Sequence, residues 1–160
     1  MGRRLGGRPG GDDVECQLQI AAVVQSAEMV GAAQNVFDLT LDWAFSRYSF
    51  GRPLASYQEI KHRFADMKLW LEASHALADA AARHEARDDA AAKAASVAQA
   101  YTGDYLAELA QDCVQMHGGI GVTYEHDIHL YLRRITVDRL TYGTPTEHRQ
   151  RIAALRAQAA

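Results

Sequence analysis

Apolar side chains return at helical spacing from Val14 to Ser46, at Ile20, Val23, Ala27, Val30, Phe37 and Leu41, and the pattern then breaks at Gly51 and Pro53. A stripe of that length leaves few options, because a long helix with one apolar face is stable only when packed against other helices. Ser56 can cap a second helix running to about Arg87, with Ile60, Phe64, Met67 and Leu71 on its apolar face. The Arg87-Asp88-Asp89 cluster reads as a turn, with Asp88 or Asp89 capping a third helix that reaches about Met116 and carries Leu106, Leu109, Cys113 and Met116 inward. Gly31, among Ala27, Ala32 and Ala33, reads as a place where a neighbouring backbone comes close. A short fourth helix follows Thr123 and an arginine-rich one follows Pro145. The expected fold is all-α: an up-and-down four-helix bundle with short C-terminal helices.

A chain of 160 residues with 48% apolar content can bury a real core as one domain. A net charge of -3 gives no electrostatic footprint for nucleic acid, and no apolar run approaches the roughly 20 residues of a membrane helix. Cys16 and Cys113 lie in helical patterns without metal-ligand spacing, which predicts reduced, buried thiols and a cytoplasmic setting. Residues 1–13 differ from the rest. Their glycines and arginines bury nothing, so they are expected to be a disordered tail ahead of a helical domain at 14–160, with no secretory signal and with any upstream domain missing.

Two breaks carry chemistry. At the first corner Arg47, Ser49 and Arg52, with Gln58 one turn on, offer donors to an anionic ligand beside the ring of Phe50; an ordinary helix linker with solvated arginines is the competing reading. The third helix ends at His117-Gly118-Gly119-Ile120-Gly121, where glycines expose main-chain N–H groups to a ligand or simply cap the helix. His126 and His129 have no third ligand at a diagnostic distance, so a polar helix start is favoured over a metal site. No serine sits in a Gly-x-Ser-x-Gly turn. Apart from His117, the histidines read as surface residues; the C-terminal arginines could meet phosphates or cover a polar face, and the solvated face is favoured for Arg151 and Arg156.

The Arg47/Phe50-Gly51 corner with Gln58 and Lys61-His62, the Gln115-Met116-His117-Gly118-Gly119-Ile120-Gly121 loop and the Gly143-Thr144 turn before Arg149 together resemble the C-terminal helical domain of acyl-CoA dehydrogenases, over residues 14–156. His129-Leu130-Tyr131-Leu132-Arg133-Arg134 is similar to members in actinobacterial lipid and sterol breakdown. The resemblance implies a FAD-dependent α,β-dehydrogenation of an acyl-CoA thioester. It implies that Arg47, Ser49 and Phe50 contact the flavin nucleotide of a partner subunit, with Gln58 near the adenine, and that Gln115, Gly118 and Gly119 pack backbone against it. Thr144, and Thr146 with it, would hydrogen-bond FAD in the chain's own pocket. A homo- or hetero-oligomer is therefore implied, with electron-transfer flavoprotein a candidate electron acceptor.

One departure concerns the base. Where many members carry Glu in the turn, this chain has Tyr142, and a phenol with an ordinary pKa of about 10 is a poor base. In relatives that place the Glu on the first long helix, the matching position falls near Ala21; Glu15 and Glu28 serve only under a shifted alignment, and Glu147 is the remaining weak candidate. Family chains are also more than twice as long. The expectation is a fragment or a subunit lacking the usual catalytic Glu, with a non-catalytic helical assembly subunit without flavin as the alternative.

Overall fold

The structure is a computed structural model and describes residues 10–84 and 88–158. Five α-helices form it: α1 (Gly10–Ser46), α2 (Gln58–Ala82), α3 (Asp89–His117), α4 (Ile128–Leu140) and α5 (Pro145–Gln158). Helices α1 to α4 run up and down as a bundle, and α3 is the central one, packed against all four others. Between α1 and α2 the chain makes a two-stranded antiparallel hairpin, β1 (Tyr48–Ser49) and β2 (Arg52–Pro53), then a 3-10 turn at Leu54–Ser56. A second 3-10 segment, Gly118–Val122, links α3 to the approach to α4.

The all-α reading holds, with differences in detail. Helix α1 begins at Gly10, inside the stretch read as a tail, with Asp13 near its positive end where a carboxylate is favourable; residues 1–9 lie outside the described residues. Helix α2 stops at Ala82 rather than near Arg87, and residues 85–87 are likewise outside the description. Asp88 is the N-cap of α3, its carboxylate accepting from Ala91 N–H at 2.9 Å. Ser56 does not cap α2: its hydroxyl donates back to the Pro53 carbonyl at 2.7 Å, and Tyr57 is the flanking residue.

The core runs the length of the bundle through Met29, Val36, Met67, Leu71, Leu106, Leu109, Ile128 and Ile135, with Phe37 and Phe64 meeting edge to face at 5.5 Å. On α1 the buried stripe is Ala22, Ser26, Met29, Ala33, Val36, Thr40 and Ala44, at three- and four-residue steps. Two members of the predicted stripe, Ile20 and Ala27, instead face outward. The miss has a physical cause: α1 is apolar on a second face as well, at Val14, Leu18, Ile20 and Val24. Gly31 is exposed and a Cβ there would meet nothing within 4 Å, so no backbone approaches it. The close approach is at Gly103, where a Cβ would stand 3.0 Å from Pro145 Cγ. Cys113 is buried and its thiol is pushed up to about 12 by that burial, whereas Cys16 is half-buried; both are unpaired.

Candidate functional site

The hairpin after α1 forms because Phe50 and Gly51 both adopt positive φ, 48° and 81°, as a two-residue turn of this kind demands. Glycine does so freely, but an aromatic residue there is strained by about 1–2 kcal/mol. Phe50 is nevertheless 99% exposed, so no contact among the described residues repays the strain. Around it stand the other predicted residues. Ser49 offers its carbonyl to the Tyr57 hydroxyl at 2.7 Å, Arg52 lies 3.8 Å over the Tyr57 ring, and the exposed Gln58 amide is 3.4 Å from His62 Nε2. Arg47 sits 5.7 Å over Trp43 with its charge free for a ligand.

Trp43 joins this corner to the glycine loop. Its ring stacks on His117 at 4.9 Å, and His126 closes the cluster at 4.7 Å from His117. Helix α3 is capped by Gly118 at φ 64°, which leaves Gln115, Gly118 and Gly119 on the surface beside that stack. His117 Nδ1 bonds the Cys113 carbonyl at 2.8 Å, and burial holds its pKa below the ordinary 6.5, with His126 adding to the effect. Its Nε2 and the Trp43 indole N–H are buried without partners. Gly121, the last glycine of the predicted loop, is the most tightly held among the described residues: a Cβ there would stand 2.6 Å from the Val114 carbonyl.

The third motif lies elsewhere. Tyr142 and Gly143 again take positive φ, 61° and 117°, and the turn packs on the buried ring of His148. Thr144 and Glu147 form a capping box at the start of α5, the carboxylate accepting from Thr144 N–H at 2.7 Å and from its hydroxyl at 2.8 Å. Those bonds hold the Glu147 carboxyl below the usual range. Glu147 therefore serves as the helix cap, and the Thr144 hydroxyl hydrogen is committed to it while its oxygen can still accept. Thr146 is exposed on the first turn of α5.

Tyr142 and Ala21, the two positions where a base was looked for, line the same two adjoining hollows of about 420 and 330 Å³. Neither carries a carboxylate. Asp13 edges the first hollow and Glu28 the second, while Glu15 is drawn away into an ion pair with Arg151. That pair also overturns the solvated reading of Arg151. His129 and His148 are buried, correcting their assignment to the surface; His129 bonds the His126 carbonyl, and His126 Nδ1 accepts from Ile128 N–H at the start of α4.

Ala21 and the end of α1 at Ser46 are 25 residues apart, or roughly 37 Å at helical rise. The corner and the glycine loop thus come together at one end, and the Tyr142 turn stands far down the bundle. Sequence reasoning also missed a polar cluster beside the second hollow, with Arg134 and Glu28 exposed and Ser26, Gln99 and Asp138 buried behind them. Arg134 pairs with Glu28 at 2.5 Å and with Asp138 at 3.2 Å, and Gln99 links the Ser26 hydroxyl (2.9 Å) to the Asp138 carbonyl (3.2 Å). Single charges at helical spacing give no signal for such a group, which exists only once α1, α3 and α4 meet. No group of three or more metal-ligating side chains is found among the described residues, and no described helix is long and apolar enough to cross a membrane.

Comparison with known proteins finds a family and a shared fold. Residues 10–155 match the family model "Acyl-CoA dehydrogenase, C-terminal domain". The chain is 34% identical over 144 residues to acyl-CoA dehydrogenase IpdE2 of Mycolicibacterium smegmatis, covering 90% of this chain and 44% of that protein. It is 42% identical over 117 residues to acyl-CoA dehydrogenase FadE34 of Mycobacterium tuberculosis, covering 72% and 16%. Among solved structures, the Tcur3481-Tcur3483 steroid ACAD superposes with a TM-score of 0.82 at 30% identity, over 89% of this chain and 39% of that one. Butyryl-CoA dehydrogenase from Megasphaera elsdenii shares the fold, with a TM-score of 0.86 at 24% identity over 94% and 39%. The chain spans less than half the length of each of these relatives.

Proposed function

The chain belongs to the acyl-CoA dehydrogenase family, matching its C-terminal domain, and on that premise we propose that it builds part of a FAD-dependent site for α,β-dehydrogenation of an acyl-CoA thioester. The observation that carries the reading is the corner, where a strained, wholly exposed Phe50 stands between Arg47 and Arg52 in the chain, and Trp43, under Arg47, stacks on His117 at the start of the glycine loop. No described residue covers that arrangement, and its chemistry suits a dinucleotide. Arg47 and Arg52 would neutralise a diphosphate, Phe50 and Gln58 would give an adenine a flat face and an amide, and Gln115, Gly118 and Gly119 would allow close main-chain contact.

Thr144 and Thr146 would meet flavin in a second place, next to Tyr142. Because this turn and the corner lie roughly 37 Å apart by helical rise, one chain would contribute to two flavin sites, and the assembly would be an oligomer whose sites form between subunits. FAD, when bound, supplies the acceptor for the hydride from the substrate's β carbon. Tyr142 would orient the thioester at the reacting carbons without removing the α proton, since neither it nor Ala21 is a carboxylate. The base would come from outside this chain, as in a heteromeric enzyme whose other polypeptide carries it. Electron-transfer flavoprotein would re-oxidise the flavin, and the unpaired thiols suit a cytoplasmic location. The IpdE2 and FadE34 matches favour lipid degradation as the setting.

The visible absorption spectrum of the chain, alone and within its assembly, tests this. Flavin bands present in the assembly and bleached by an acyl-CoA thioester are expected. Absence of flavin from both samples would remove the cofactor and leave a helical assembly piece.

A further inference from the structure

We propose that the acyl group received here carries a neutral, hydrogen-bonding oxygen function beyond its reacting carbons, met by Gln25 and by the Glu28–Arg134 pair. The inference rests on the dehydrogenase reading above and names the class of substrate for that site.

The second hollow, about 330 Å³, changes character along its length. At one end Tyr142 and Ala21 mark the reacting carbons. Ile20 and Val24, 49% and 62% exposed, give it hydrocarbon walls. Gln25, only 7% exposed, and the Glu28–Arg134 ion pair then make its far end polar. By helical rise Gln25 stands roughly 6 Å and Glu28 roughly 10 Å along α1 from Ala21. A hydrocarbon body with a polar group six to ten ångströms or so from the α carbon is complementary to that gradient.

Charge decides which polar group. Arg134 is already shared between two carboxylates, Glu28 at 2.5 Å and Asp138 at 3.2 Å, so the cluster has no uncommitted cation. A second carboxylate on the acyl end would face Glu28 and Asp138, and a cation would face Arg134. A hydroxyl or ketone conflicts with neither. Its oxygen accepts from the Gln25 amide or the guanidinium, and a hydroxyl also donates to Glu28. The wall behind is held by Gln99, which ties Ser26 to the α4 backbone. Burial, with Glu28 nearby, also raises the Asp138 carboxyl above its usual range, in keeping with a site short of positive charge. A plain alkyl end would strip water from these groups and return nothing, and sites built to hydrogen-bond a ligand discriminate strongly against analogues lacking the group.

The test uses the assembled flavoprotein containing this chain and three CoA thioesters of equal length: octanoyl, its ω-hydroxy analogue and the ω-carboxy analogue. Anaerobic bleaching of the flavin band gives kcat/KM for each. The ω-hydroxy compound is expected to exceed octanoyl by about tenfold or more, with the ω-carboxy compound last. Gln25→Leu should bring the first two within about threefold, and Glu28→Gln, a change at the protein surface, should raise the ω-carboxy compound by about fivefold. A wild-type preference for octanoyl, or ratios unmoved by both variants, overturns the inference while leaving the dehydrogenase reading intact. Flavin present but bleached by none of the three overturns both, and so does the absence of flavin.

Discussion

Two turns in this molecule use the same backbone device to opposite ends. Phe50-Gly51 and Tyr142-Gly143 each place an aromatic residue, then a glycine, at positive φ, and Phe50 and Tyr142 are the non-glycine residues recorded there among the described ones. At the first turn the Phe50 ring is 99% exposed, and a Cβ on Gly51 would meet nothing within 4 Å. Around Tyr142 the turn is packed, and a Cβ on Gly143 would stand 2.9 Å from His148 Nε2. The first is open to solvent, where the proposed function would set another molecule, and the second is a wall fixed by its own chain.

The contrast breaks most readily at the glycines. Gly143→Ala must accept both a disfavoured φ and a clash with a buried ring, for a loss of roughly 2–4 kcal/mol. Gly51→Ala meets strain alone, about 1–2 kcal/mol. Urea unfolding of the two variants checks the order, and equal losses would mean that the turns are packed alike. Next in size is Arg47→Gln, which removes a charge-assisted contact of about 1.5–3 kcal/mol from the platform. Flavin affinity in the assembly should fall roughly tenfold to a hundredfold at unchanged fold stability, as read by fluorescence titration. A loss of stability in place of affinity would make the corner a structural linker.

How much of this could be read from sequence follows from where each signal lives. Helical breaks are local, so Gly51, Pro53, Asp88 and Gly118 announced the corner, the cap and the loop. The buried face of α1 did not show, because Val14, Leu18, Ile20 and Val24 add a second apolar face that shifts the apparent stripe toward Ile20 and Ala27. The burial of His129 and His148 and the Arg134 cluster arise from contacts between helices distant in sequence, which periodicity does not encode. Glu147 is instructive in another way. Thr144-Pro145-Thr146-Glu147 reads locally as a capping box with proline at the first helical position, and proximity to the expected base drew attention from it.

Each end also holds a buried, neutral histidine, and pH separates them. Burial lowers the pKa of both His117 and His148 below 6.5; the Cys113 carbonyl opposes this for the first, the Tyr142 backbone and Glu147 for the second. A histidine whose folded pKa is depressed contributes stability that is fully present above the unfolded value. That stability is lost as pH falls from about 6.5 through the folded pKa, because the unfolded chain takes up the proton first. Unfolding followed between pH 7 and 5 should therefore show declining stability, with His148→Gln flattening the part that belongs to the Tyr142 turn. An unchanged profile in that variant would show that the ring under the turn titrates as it does in the unfolded chain.

The smallest effect is the most diagnostic. Phe50→Gly removes an aromatic ring that is 99% exposed and covers no core, while it replaces a strained residue by one that takes positive φ freely. For the chain by itself the substitution should stabilise the fold by about 1 kcal/mol, less than the full strain because glycine also loosens the unfolded chain. In the assembly the sign reverses: flavin retention should weaken, because a flat apolar face is lost from the nucleotide site. An aromatic residue held against its backbone preference at a wholly exposed tip points to a use outside the chain. Stability that rises while flavin binding falls is the signature of that use, and a rise in stability with flavin binding unchanged would reduce Phe50 to uncompensated strain.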